Sequence, residues 1–102
     1  MDVGKFSKLG GPQNAVGFSV HGLEGEIGRV VGTHEDRLLF VDTGPVTRAF
    51  KTGSVQEVDS DRARVHMPVN RAQIGDFPTV NFSAQREVDE DEIRRIEDEL
   101  HG

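Results

Sequence analysis

Cysteine, tryptophan and tyrosine are absent from the 102-residue sequence, and no apolar run is longer than Leu38, Leu39, Phe40 and Val41. Without cysteine there is neither a disulfide framework nor a thiolate zinc site. Six phenylalanines are the only aromatic side chains besides the four histidines, so the usual stacking platforms for nucleic-acid bases are scarce. Four consecutive apolar residues are far too few to span a bilayer. Residues 1–11 lack the apolar stretch of a secretory signal, and the chain is expected to be cytoplasmic. Apolar residues make up 34% of the total. That suffices for one thin core in one small domain with a modest stability margin.

The net charge of −6 is unevenly placed. Residues 1–86 carry ten acids and ten bases, whereas residues 87–102 carry eight acids against Arg94 and Arg95. The body is neutral and the excess charge belongs to the C-terminal segment. Such a split gives the two parts different work and argues against a broad phosphate-binding surface.

Residues 1–15, with Gly4, Gly10, Gly11 and Pro12 among scattered apolar positions, read as a flexible or loosely docked lead-in. From Val16 the pattern has period two. Val16, Phe18 and Val20 alternate with small or polar residues, as in a half-buried strand. Gly22 and Gly25 bracket a turn, and residues 26–31 read as a second strand. His34, Glu35 and Asp36 turn the chain into residues 37–42, whose unbroken apolar stretch suits a central strand covered on both faces. Gly44 and Pro45 stop it. Further strands are expected over 46–51, 55–58 and 63–67, separated by turn residues, with Val80 and Phe82 in one more extended segment. Five or six short strands with turns at this spacing predict a small antiparallel β-barrel, whose closure removes exposed edges.

Asn70 fits the N-cap of a single helical turn that ends near Gly75. Beyond Gln85, Asp89 fits an N-cap and Glu92 stands three residues later, the spacing of a capping box. A helix is expected from there to about His101, with Ile93, Ile96 and Leu100 on one face. A helix of about a dozen residues is marginal alone in water, so it must dock. The expected division is a lead-in at 1–15, a domain at 16–82 and an acidic helix at 83–102.

The run Gly17, Phe18, Ser19, Val20, His21, followed by Glu24, Gly25, Glu26, Ile27, Gly28, Arg29 and Val30, resembles the opening hairpin of the PRC-barrel family. Residues 46–50, 55–59 and 64–67 resemble its later strands, and residues 70–78 its closing helical turn and proline. Phe50, Lys51, Thr52 and Gly53 stand where the family usually has an isoleucine-proline pair. The resemblance covers residues 16–80 and implies a barrel of about six strands, no catalytic machinery, and contact with larger assemblies.

The residues themselves advertise little chemistry. His21, His34, His66 and His101 have no ligand spacing, so neither a metal nor another cofactor is expected. His21 and His34 are expected at turns and His66 at an outward strand position. Ser19 and His21 merely share a strand face, and no nucleophile-base pair in a cleft is indicated. The glycines around Glu24 lack the lysine and following helix of a phosphate loop. The reading is a non-catalytic protein-interaction module that binds protein partners through the exposed barrel face and the C-terminal helix, with Ile93, Ile96 and Leu100 as partner-binding residues and a second copy of the chain as one candidate partner. The competing reading is a ribosome- or RNA-associated factor using a basic cluster of Arg62, Arg64 and Arg71. The neutral body argues against nucleic acid as the main partner.

Overall fold

The computed structural model describes Phe6, residues 9–83, Gln85 and residues 88–101. Seven strands follow in order: β1 (Ser19–Gly22), β2 (Gly25–His34), β3 (Leu38–Asp42), β4 (Thr47–Lys51), β5 (Glu57–Asp59), β6 (Arg64–His66) and β7 (Thr79–Val80). Short 3-10 turns cover Pro12–Ala15 and Thr52–Ser54, and two helices are α1 (Arg71–Ile74) and α2 (Glu90–His101). The strands form one sheet in the order β5-β6-β1-β2-β3-β4-β7.

The local causes are plain. β2 turns into β3 through Glu35 and Asp36, both at positive φ (51° and 61°), with the Arg37 amide donating to the His34 carbonyl. This is the twist-matched two-residue hairpin turn that usually selects Asn-Gly. β3 is buried at Leu38, Leu39, Phe40 and Val41, the two-faced coverage expected of its apolar run. Gly28 is required by close approach. A Cβ there would stand 2.1 Å from the Asp42 carbonyl oxygen, so β2 and β3 can pair as they do only with glycine at this position.

The expectation of a closed antiparallel barrel is corrected. The sheet is mixed, because β1 and β6 pair in parallel while the other neighbours are antiparallel. It is also not closed among the described residues. After β4 the chain leaves through the Thr52–Ser54 turn and returns as the β5–β6 hairpin against β1, which places β5 on one edge while β7 takes the other. These edge strands have three and two residues, and short edges limit the hazard of edge pairing.

Two apolar clusters lie on opposite faces of the sheet. One gathers Val20, Val30, Leu39, Val41, Phe50, Val65 and Met67 with Phe6 and Ala15. The segment expected as a lead-in thus contributes to the core where it is described: Phe6, Pro12 and Ala15 are buried, and the Gly11 amide donates to the Phe6 carbonyl. Residues 1–5, 7 and 8 lie outside the described residues. Val16, expected to face inward, is 48% exposed, since the chain turns at residues 15–17 and the strand begins only at Ser19.

The second cluster joins Leu38, Phe40, Ala49 and Val80 to Ile93 and Ile96 of α2. The helix lies on the β3–β4–β7 half of the sheet, and burying its two isoleucines contributes about 1.5–3 kcal/mol each. Among the described residues no helix is long and apolar enough to cross a membrane.

Candidate interaction surface

The apolar stripe of α2 is occupied within the chain. Ile93 is 5% exposed, Ile96 is fully buried, and Leu100 packs half-buried at the edge of the same cluster. A partner could take these side chains only by lifting the helix from the sheet. Asp89 caps α2 through the Asp91 amide, as expected. The capping box does not form, because the Glu92 carboxylate accepts instead from the Asn81 amide at 2.6 Å. That amide lies just beyond the short strand β7, and the bond pins the helix start to the sheet edge. Arg95 donates to the Thr79 carbonyl and to Glu99, and Arg37 reaches Glu97 at 2.9 Å.

These contacts fix which face of α2 looks outward. Glu90, Asp91 and Asp98 are exposed, and their carboxylates carry no hydrogen bond or ion pair among the described residues. Arg94 lies between them on the same side. Beside the helix, a cleft of about 440 Å³ has Leu38 and Leu100 as its apolar floor and Arg37, Lys51, Thr52 and Glu97 on its rim.

The three arginines of the expected basic cluster do not gather. Arg62 sits in the β5–β6 turn, 4.0 Å from Asp59, and Arg64 opens β6 opposite the same aspartate. Arg71 lies beyond the other end of β6, where its amide donates to Glu24 in the β1–β2 hairpin. Strand direction separates Arg71 from Arg62 and Arg64, and each of the three has a carboxylate as a near neighbour.

The outer face of the β5–β6–β1 half, left bare by α2, holds a pairing that sequence spacing concealed. His21, expected in a turn, is inside β1, and register places it directly beside His66 of β6. Their ring centres are 5.6 Å apart with the planes inclined at 35°. Ser19 Oγ lies 3.1 Å from His21 Nε2 and donates to the Ala63 carbonyl at 3.4 Å. Forty-four residues separate the two histidines in sequence, and only the parallel β1–β6 pairing brings them together. Among the described residues no group of three or more His, Asp or Glu side chains converges as a metal cage. No family model, no curated protein and no solved structure matches this chain.

Proposed function

We propose that this chain is a non-catalytic cytoplasmic binding module related to PRC-barrel proteins, which meets a protein partner through the outward face of α2. The observation that carries this reading is the fixed orientation of α2. Its apolar side is occupied by the sheet, so Glu90, Asp91 and Asp98 form a preorganised acidic surface held on a small rigid body. A preorganised surface of predominantly acidic charge, three carboxylates against the single Arg94, steers a complementary partner and discriminates against like-charged ones. The partner is therefore a basic protein surface. The order of the glycine-rich hairpin and later strands supports the family relation, and the displaced net charge supports the helix as the working surface.

The test is affinity capture with the full chain and with the triple variant Glu90→Lys, Asp91→Lys, Asp98→Lys. A partner retained by the native chain and lost by the variant supports the reading. Capture unaffected by the reversal, but abolished by Arg62→Glu with Arg64→Glu and by nuclease, would replace it with RNA association.

A further inference from the structure

We infer that His21 and His66 form a binding site for a borderline divalent transition cation of the zinc or copper class, on the sheet face that α2 leaves bare. The register of the parallel pair β1–β6 puts the two side chains on the same face of adjacent strands, and both are partly exposed. Two imidazoles that share one ion through metal–nitrogen bonds of about 2.0–2.1 Å have ring centres roughly 5 Å apart in a tetrahedral arrangement. The observed separation of 5.6 Å is within a small side-chain adjustment of that distance.

The neighbouring hydrogen bonds prepare one ligand. Ser19 Oγ lies 3.1 Å from His21 Nε2 and 3.4 Å from the Ala63 carbonyl oxygen, so when its hydroxyl proton goes to that carbonyl its oxygen can accept from the Nε2–H tautomer of His21. That tautomer leaves the lone pair on Nδ1, the form a metal requires. A ligating histidine whose second nitrogen is held by an acceptor is the usual arrangement around protein-bound metals. Neither ring has another hydrogen bond among the described residues.

The wider row adds charge. His66 is the cross-strand partner of Glu57 and His21 that of Glu26. A lateral series Glu57, His66, His21, Glu26 therefore crosses β5, β6, β1 and β2. Both glutamates are exposed, and they lower the electrostatic cost of placing a dication between the imidazoles. Two neutral nitrogen ligands favour zinc, nickel or copper over magnesium or calcium, which select oxygen donors. Water completes the coordination, so the site is an open, exchangeable one.

The test is calorimetric titration of the metal-free full chain with zinc chloride, with magnesium chloride as control. Nuclear magnetic resonance follows the histidine ring signals in parallel. We expect one zinc per chain, no response to magnesium, and zinc-dependent shifts of the His21 and His66 rings but not of His34. Ser19→Ala should weaken binding by roughly tenfold, the usual effect of losing an outer partner, and His66→Gln by more. Absence of saturable zinc binding overturns the inference. So does zinc binding that leaves the His21 and His66 ring signals unmoved, or that persists undiminished in a folded His66→Gln chain. The ring signals of the native chain decide the matter even where a variant fails to fold.

Discussion

Replacing Gly28 by alanine tests the register of the central hairpin, and its sign can be worked from the structure. The added Cβ would stand 2.1 Å from the Asp42 carbonyl oxygen, 2.9 Å from its carbon and 3.1 Å from the Thr43 Cα. All three are backbone atoms of the paired strand, so no rotamer change relieves the clash. β2 and β3 must separate by about 1 Å locally, which strains the Arg29–Asp42 pairing beside it. Overpacking of this kind costs about 1–3 kcal/mol, and sometimes more. The lower backbone entropy of alanine in the unfolded chain returns only about 0.4–1 kcal/mol. A net loss of about 1–2 kcal/mol should lower Tm by roughly 5–15 °C in a domain of this size. Gly53→Ala is the control, because a Cβ there meets nothing within 4 Å and φ is not in the left-handed region. It should be neutral or slightly stabilising. Thermal and urea unfolding followed by circular dichroism reads both. A Gly28→Ala chain melting at or above the native temperature would refute the pairing described for β2 and β3.

Other outcomes follow from the same structure. Ile96→Ala removes a fully buried side chain between α2 and the sheet and should destabilise by about 2–5 kcal/mol in urea unfolding, with half-buried Leu100→Ala costing less. Glu35→Asn with Asp36→Gly places favoured residues at two positive-φ positions and should stabilise by about 1 kcal/mol, read as a rise in Tm. Asn70→Ala deletes a reciprocal capping box with Gln73 and should cost about 0.5–2 kcal/mol by chemical denaturation. Arg37→Ala removes exposed ion pairs to Glu35 and Glu97 and should change stability by no more than about 1 kcal/mol, less still in high salt.

Much of the fold was legible because local chemistry decided it. The alternating segments became strands, the unbroken run at β3 became the strand buried on both faces, and Asn70 and Asp89 cap the helices they were expected to cap. What period-two patterning cannot encode is the neighbour of each strand. The parallel pairing of β1 with β6 depends on a crossover whose direction leaves no mark on alternation, so an open mixed sheet replaced the expected closed antiparallel one. The same pairing hid the histidine site, because residues 21 and 66 acquire a relation only through register. Phe6 escaped notice for a related reason: a lone apolar residue among glycines has no periodicity, yet one well-placed phenylalanine can close the end of a core. The apolar face of α2 was visible, but its occupant was not. Ile93 and Ile96 are as suited to a second copy of the chain as to Phe40 and Ala49.

The central claim is that α2 is fixed on its own sheet and so offers its acidic side to partners. Native-state hydrogen exchange on the full chain measures this directly. The account predicts that the amides of residues 94–100 exchange slowly, with protection close to that of β3, because opening the helix exposes Ile93, Ile96 and the apolar face beneath them. Exchange of these amides as fast as in an undocked helix, while β3 remains protected, would contradict it and return the apolar stripe to the surface as the binding element.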